Sequence, residues 1–325
     1  MSLPASLPAL SPVEMPASVA VNAAVNAAVN AAVNAAAPIA LQALDGAPLG
    51  AHRFATAGTA RASVVIGPAM GVPAAFYHRF AAHLAQSGYA VTTFDYRGIG
   101  ASLDRALRGH PARLSDWFAL DYPAAIADAK AAAPTLPLYL LGHSLGGQIP
   151  GLLPDLSQVD GLLSFATGSG YWRTTAPRIR NKYPVLAYLI GPVAMALAGY
   201  FPGKQLRIFD DVPAGAMRQW TGWCKHPEYC AGAEPGGKAA FARAAFPVHT
   251  VSFTDDEFMT AQGTEAMLAC YTAAVRRHTR VAPADWNEKR IGHFNVFRKE
   301  MAVHWPRMVR MLDELPGLRA TNTQA

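Results

Sequence analysis

Short apolar runs alternate with amphipathic stretches along most of the chain. The short runs predict strands, and the stretches with apolar residues three or four positions apart predict helices. Strands are predicted over residues 39–44, 50–56, 62–66, 89–94, 138–141, 159–166, 247–253 and 279–282, and helices over residues 76–87, 114–133, 264–278 and 296–315. This alternation indicates an α/β fold, in which helices cover both faces of a mostly parallel sheet that begins with an antiparallel pair of strands.

The alternation stops between residues 171 and 245. This segment contains three tryptophans and an uncharged run of 20 residues, from Tyr183 to Pro202. The run is long enough to cross a bilayer, but Gly191-Pro192 interrupts it, and a crossing would separate the candidate site residues on either side of it. We therefore expect two apolar helices that line a substrate pocket, with contact at a membrane surface as the alternative. Residues 171–245 are predicted to be a cap insertion in an α/β core of residues 38–170 and 246–318.

Residues 1–37 have a different composition, rich in Ala, Pro and Ser, and contain Val-Asn-Ala-Ala four times between Val21 and Ala36. An apolar period of four drifts around a helix and does not hold one face. The segment is predicted to be a disordered extension.

The overall composition, 51% hydrophobic and 15% charged, is that of a compact globular protein. The net charge of +6 is concentrated in residues 171–245, which contain 10 basic and 4 acidic side chains. Such an excess would attract an anionic substrate or a membrane surface, although a solvated basic face has the same pattern. The sequence contains no motif for nucleic acid, nucleotide or metal, so neither a nucleic-acid partner nor a cofactor is expected.

The three cysteines lack the spacing of a disulfide framework or a metal site. No Lys or Arg precedes Arg53, so the positively charged start of a signal peptide is missing. These features predict a cytoplasmic protein with free thiols.

A candidate nucleophile follows the apolar run that begins at Leu138. Gly142-His143-Ser144-Leu145-Gly146 has the Gly-x-Ser-x-Gly form of a nucleophile elbow, a sharp turn between a strand and a helix that presents a serine at its tip. The hydroxyl of Ser144 would need a base within hydrogen-bond reach and an acid that orients the base. In folds with this elbow, the acid and then the histidine follow the serine along the chain.

Three histidines, His278, His293 and His304, follow a plausible acid. Two of them lie on predicted helices, whereas His293 lies in a loop after Gly292, so His293 is the predicted base. The acid must follow the end of a strand, which leaves the neighbours Asp255 and Asp256 as candidates. The oxyanion formed during acyl transfer needs two N–H donors. Leu145 N–H, directly after the serine, is expected to be the first, and the loop at residues 67–71 is expected to supply the second.

These motifs resemble those of the α/β-hydrolase superfamily over about residues 45–170 and 245–315. Besides the elbow, Asp95-Tyr-Arg-Gly-Ile-Gly-Ala-Ser is similar to the Asp-x-x-Gly-x-Gly-x-Ser loop of that superfamily, and Ala69-Met-Gly-Val is typical of one bacterial group within it. A looser similarity links the chain to serine-aminopeptidase-like and monoacylglycerol-lipase-like hydrolases. The resemblance implies an α/β-hydrolase fold with a helical cap.

The resemblance also narrows two of the site predictions. Members of the superfamily commonly place the catalytic Asp nine positions after a Pro that opens its strand, and counting from Pro247 reaches Asp256. Where many members have His-Gly-x, this chain has Pro68-Ala69-Met70, which implies Met70 N–H as the second oxyanion donor. Because the donor belongs to the backbone, the departure affects only how the loop is braced.

The sequence therefore predicts a serine hydrolase with Ser144, Asp256 and His293 as its triad and a small-molecule ester with an apolar part as its substrate. Transfer of the acyl group to an alcohol or thiol, by the same residues, is one alternative. A module that binds an apolar ligand without catalysis is another. The sequence does not indicate the oligomeric state.

Overall fold

The computed structural model describes residue 33, residues 36–56 and residues 58–320. The extension predicted over residues 1–37 lies outside these residues, except for Val33, Ala36 and Ala37. The strands described are β1 (Ala37–Gln42), β2 (Pro48–Phe54), β3 (Ala62–Gly67), β4 (Tyr89–Phe94), β5 (Leu138–His143), β6 (Gly161–Phe165), β7 (Tyr200–Phe201), β8 (Val212–Pro213), β9 (Val248–Phe253) and β10 (Arg276–Val281).

Helices follow most of the strands. The α-helical segments are α1 (His78–Gln86), α2 (Leu114–Asp116), α3 (Tyr122–Ala132), α4 (Leu145–Gln148), α5 (Pro177–Arg180), α6 (Tyr183–Val185), α7 (Gly191–Ala198), α8 (Gly203–Leu206), α9 (Ala214–Lys225), α10 (Tyr229–Ala233), α11 (Gly237–Ala242), α12 (Ala261–Ala269), α13 (Trp305–Asp313) and α14 (Leu315–Ala320). A π-helical turn, Trp117–Asp121, joins α2 to α3, so the long helix predicted there runs without a break.

Eight strands form one sheet in the order β1-β2-β4-β3-β5-β6-β9-β10. The first two strands are antiparallel to each other, and β2 is antiparallel to β4, whereas the strands from β4 to β10 pair in parallel. This arrangement confirms the predicted mostly parallel sheet with an antiparallel start. Parallel strands place their carboxyl ends at one edge, where the loops after β3, β5 and β9 meet.

The central strands are buried on both faces, as their continuous apolar runs require. In β3, Val64 and Ile66 pack against α1 and α13, while Val65 between them packs on the opposite face with α3. This alternation has the period of two that a strand imposes. The sheet therefore separates two apolar cores, and the helices cover both of its faces.

The helix predicted over residues 264–278 is wrong at its carboxyl end. Helix α12 ends at Ala269, and Arg276–Val281 forms β10, which pairs in parallel with β9. The strand is at the edge of the sheet and carries three arginines, so it lacks the apolar alternation that marks a strand in sequence. His278 consequently lies on a strand and not on a helix.

The two apolar helices predicted in the uncharged run are also wrong, because the run forms a single helix. Segments α6, Leu186–Ile190 and α7 follow one another directly, and residues 183–198 are called the apolar helix below. Leu186–Ile190 is a π-helical turn. It accommodates Pro192 because it opens the hydrogen-bond ladder at the turn where the proline ring would meet a carbonyl oxygen. No helix among the described residues has the length and apolar composition of a membrane span.

A buried ion pair holds the loop after β4. Arg97 Nε lies 2.8 Å from Asp121 Oδ1, its backbone N–H donates to Asp121 Oδ2 at 2.9 Å, and both its terminal nitrogens lie 2.8 Å from Asp45 oxygens. The Asp121 carboxylate is fully buried, and burial raises its pKa to about 6 even with the guanidinium beside it. The Arg97 guanidinium lowers the pKa of this carboxyl against the effect of burial and so favours its ionised form.

We expect Arg97→Met to lower the free energy of unfolding by about 3–5 kcal/mol, because it leaves a buried carboxylate without its cation. Denaturant titration would measure the loss. Arg97→Met combined with Asp121→Leu should recover most of it, and Arg105→Met, at an exposed pair with Asp104, should leave stability unchanged. A loss that persists in the double variant would contradict this account.

Candidate active site

The elbow between β5 and α4 depends on close contact between backbones. A Cβ atom on Gly146 would lie 1.9 Å from the carbonyl oxygen of Gly67, at the end of β3, and one on Gly142 would lie 2.4 Å from the Cα of Gly147. Ser144 at the tip has φ 51° and ψ −113°, in the left-handed half of backbone space that non-glycine residues rarely adopt. Its N–H donates to the Phe165 carbonyl of β6 at 3.0 Å, which helps to hold the turn.

The structure brings together the three side chains predicted as a triad. His293 Nε2 lies 3.0 Å from Ser144 Oγ, and His293 Nδ1 lies 2.9 and 3.0 Å from the two carboxylate oxygens of Asp256. All three residues are buried, with Ser144 only 8% exposed. Hydrogen bonds in a shielded site of this kind are electrostatically stronger than in water.

Asp256 and its neighbour Asp255, which the sequence left as alternatives, have different partners. Asp256 Oδ1 accepts hydrogen bonds from the N–H groups of Phe258 and Met259 at 2.7 and 2.9 Å, in addition to its contact with His293. Asp255 Oδ2 instead accepts from the N–H groups of Ile291 and Gly292 at 2.9 and 3.0 Å. Only Asp256 contacts the imidazole, whereas Asp255 holds the loop that carries it.

A third carboxylate, Glu257, continues this pattern. Glu257 Oε2 accepts from the N–H of His293 at 3.2 Å, and Glu257 Oε1 lies 2.9 Å from Arg290 Nη2. Three successive acidic residues after β9 therefore hold the loop of His293: two contact its backbone, and Asp256 contacts the imidazole ring. Both the backbone and the side chain of His293 are restrained in this way.

A second histidine, His143, links the two sides of the site. Ala69 N–H donates to Tyr77 Oη at 3.0 Å, and Tyr77 Oη lies 2.7 Å from His143 Nδ1. His143 Nε2 lies 2.9 Å from the backbone carbonyl of His293. A carbonyl only accepts hydrogen bonds, so Nε2 carries the proton and Nδ1 accepts from the tyrosine hydroxyl. Burial lowers the pKa of His143 to about 3, which keeps the ring neutral, as this arrangement requires.

The two amides predicted as oxyanion donors are at the same edge of the sheet. Leu145 directly follows the elbow serine, and Met70 lies in the loop after β3. Neither N–H has a hydrogen-bond partner among the described residues. The neighbouring Ala69 N–H, in contrast, donates to Tyr77 Oη. Tyr77 thus braces the loop at residues 68–70, where this chain departs from His-Gly-x.

Sequence reasoning missed the roles of Tyr77, Glu257 and His143 in this arrangement. Tyr77 belongs to a 3₁₀ turn before α1, and nothing in the local sequence distinguishes it from a core aromatic. Glu257 follows the two candidate acids directly, so its position after the strand was the available signal. His278 and His304 lie elsewhere, hydrogen-bonded to Ser252 and Glu288.

Comparison with known proteins gives the same fold. Residues 58–193 match a family model described as serine aminopeptidase, S33. A soluble variant of monoglyceride lipase from Saccharomyces cerevisiae superimposes with a TM-score of 0.60 at 16% identity, covering 86% of this chain and 96% of that one. The chain therefore has the α/β-hydrolase fold. None of the curated proteins matches the chain in sequence.

Two esterases are similar in structure as well. A thermostable carboxyl esterase from Bacillus coagulans has a TM-score of 0.57 at 13% identity, with 86% of this chain and 99% of the esterase covered. An esterase from Pyrococcus furiosus has a TM-score of 0.57 at 11% identity, with coverage of 86% and 90%. At these identities the likeness extends to the fold alone.

Among the described residues, no three His, Cys, Asp or Glu side chains group as metal ligands.

We expect Gly146→Ala to destabilise the protein severely, by at least about 3 kcal/mol, because the added methyl meets backbone that cannot move aside. Thermal unfolding would measure the change. Gly222→Ala is the matched control: Gly222 lies within α9, a Cβ there meets nothing within 4 Å, and the substitution should stabilise by about 0.5–1 kcal/mol. Equal melting temperatures for the two variants would show that the contact at residue 67 is not a constraint.

Proposed function

We propose that this protein is a serine hydrolase that cleaves carboxylic esters with an apolar acyl or alcohol part. The observation that carries the proposal is the continuous hydrogen-bonded line from Ser144 Oγ through both ring nitrogens of His293 to the Asp256 carboxylate. A serine hydroxyl is a weak nucleophile at neutral pH, and this arrangement supplies the base and the oriented acid that activate it.

In the first half of the reaction, Ser144 Oγ attacks the ester carbonyl carbon while its proton moves to His293 Nε2. The imidazolium that forms is stabilised by the Asp256 carboxylate at Nδ1. The negative charge on the carbonyl oxygen is met by the N–H groups of Met70 and Leu145. The tetrahedral intermediate then collapses, the bond to the alcohol oxygen breaks, and the alcohol leaves with the proton from His293.

In the second half, water replaces the alcohol. His293 Nε2 removes a proton from the water as it attacks the acyl carbon, and the same two amides hold the second oxyanion. The bond to Ser144 Oγ breaks, the serine recovers its proton from His293, and the carboxylic acid is released. The protein returns to its initial protonation state.

The surroundings of the site support an ester with an apolar part. The rings of Phe258 and Phe294 lie 4.9 and 4.8 Å from the His293 ring, centroid to centroid. The side chains of Met70 and Leu145, beside the proposed oxyanion donors, are apolar and buried. The similar structures include a monoglyceride lipase and two esterases, which supports the ester as the bond that is cleaved.

A fluorophosphonate probe and a panel of nitrophenyl esters of increasing chain length would test the proposal. We expect Ser144→Ala to abolish labelling and to lower kcat/KM by about 10⁴-fold or more. Ser169→Ala, at another buried serine, should leave both unchanged. Labelling that survives Ser144→Ala, or no ester turnover by the wild type, would overturn the assignment. An added alcohol acceptor would distinguish hydrolysis from acyl transfer by the products formed.

The two neighbouring acids give a sharper comparison. Asp256→Asn should lower kcat by about 10⁴-fold, because the amide favours the wrong tautomer of His293. Asp255→Asn keeps an acceptor for the loop amides and should lower kcat by less than about tenfold. Steady-state kinetics with one ester would measure both, and equal losses in the two variants would reject Asp256 as the orienting acid.

His143 is proposed to position His293 without touching substrate. We expect His143→Phe to lower kcat by about tenfold or more with little change in KM, since it removes the donor to the His293 carbonyl. His143→Gln, which can still donate an N–H there, should recover part of the rate. His249→Phe, at a buried histidine that contacts Thr279, serves as the control for packing alone. No rescue by glutamine would assign the loss to packing.

A further inference from the structure

The outward face of the apolar helix is exposed in the part of the chain that the structure describes. Six of its large apolar side chains are more than a third exposed, which places them among the few such side chains on the described surface. These are Val185 (53%), Tyr188 (59%), Leu189 (61%), Ile190 (37%), Val193 (49%) and Leu197 (75%). They extend over about three turns on the side of the helix that is turned away from α9, and together they are called the apolar stripe below.

The opposite side of the same helix is already occupied. Tyr183, Leu186 and Met195 face α9 and line a cavity of about 290 Å³ together with Met217 and Trp220. A surface helix normally presents polar residues to water on the side away from its packing partner. This helix instead presents a contiguous apolar surface, which marks a contact site for something outside the described chain.

The charges around this surface indicate what the contact is. From Gly161 to Phe209 the sequence has no Asp or Glu and has six Lys or Arg. Arg178, Arg180 and Lys182 lie immediately before the helix, and all three are exposed. Lys225, also exposed, places its Nζ 4.1 Å from the ring centre of Tyr188. Cations therefore border an apolar surface that has no charge of its own.

We propose that the apolar helix lies in the interface of an anionic lipid bilayer. The outward stripe would enter the boundary between headgroups and acyl chains, and the bordering cations would contact lipid phosphates. A helix over residues 183–198 is about 24 Å long, shorter than the hydrocarbon core of about 30 Å, which fits a helix that lies on the membrane. The inference concerns binding and is independent of the proposed hydrolase activity.

Flotation with vesicles tests the apolar stripe. The full chain is mixed with vesicles of phosphatidylcholine and phosphatidylglycerol, in a ratio of about three to one, and with vesicles of phosphatidylcholine alone. We expect binding to the mixed vesicles, and we expect Leu189→Ser with Leu197→Ser to weaken it by about tenfold or more. Leu44→Ser with Val303→Ser, at equally exposed apolar side chains elsewhere, should bind like the wild type.

The cations are tested separately. Arg178→Ala with Lys182→Ala should weaken binding to the mixed vesicles by about thirtyfold, since each cation near an anionic surface contributes about fivefold. Lys289→Ala with Lys299→Ala, two exposed lysines outside the cap, is the control. Unchanged melting temperatures in all variants would show that the fold is intact.

Three results would overturn the proposal. The first is that the wild type does not bind the mixed vesicles. The second is that it binds vesicles of phosphatidylcholine alone equally well. The third is that the serine substitutions leave binding unchanged. Light scattering gives a fourth: a concentration-dependent dimer that the Leu189→Ser and Leu197→Ser changes abolish would show that a second copy of the chain covers the stripe.

Discussion

The contact between Gly146 and the carbonyl of Gly67 is the constraint on which the site depends. It lets the turn after β5 approach the end of β3 more closely than any side chain would permit. The same contact sets the position of Ser144 and that of the loop carrying Met70. A serine held at φ 51° costs about 1–3 kcal/mol, and the buried central strands on either side offset that cost. Ser144 and the loop that carries Met70 are thus placed by one close approach of two backbones.

A neutral imidazole extends this constraint to the opposite side of the site. His143 accepts a hydrogen bond from Tyr77 and donates one to the loop of His293, which a protonated ring could not do because both of its nitrogens would be donors. Burial keeps the ring neutral, since the pKa of His143 falls to about 3. The residue next to the serine therefore has a structural reason to be histidine, and through Tyr77 it connects the loop after β3 to His293.

The fold was largely predictable because its central strands are buried on both faces and have continuous apolar runs. The three candidate side chains could be found because each follows a strand at one edge of the sheet. What sequence could not supply has a common cause. Each missed feature depends on where a residue lies in the fold and not on its neighbours in sequence. Strand β10 is polar because it lies at the edge of the sheet, and the hydrogen bond from Ala69 to Tyr77 joins two separate elements. The single helix over residues 183–198 depends on a π-helical turn that no residue pattern predicts.

The apolar helix also shows why composition alone does not distinguish a face that lines a cavity from a face that binds another molecule. Both of its sides are apolar, so the sequence pattern does not show which side packs against the rest of the protein. Only the packing in the structure distinguishes the face against Met217 and Trp220 from the face that carries Leu189. The two faces then have different consequences. Esters with an apolar part partition into bilayers, so a protein held at the lipid surface by its outward face would meet them at higher concentration than in water. Location and chemistry would be set by separate parts of the chain, the apolar helix and the edge of the sheet.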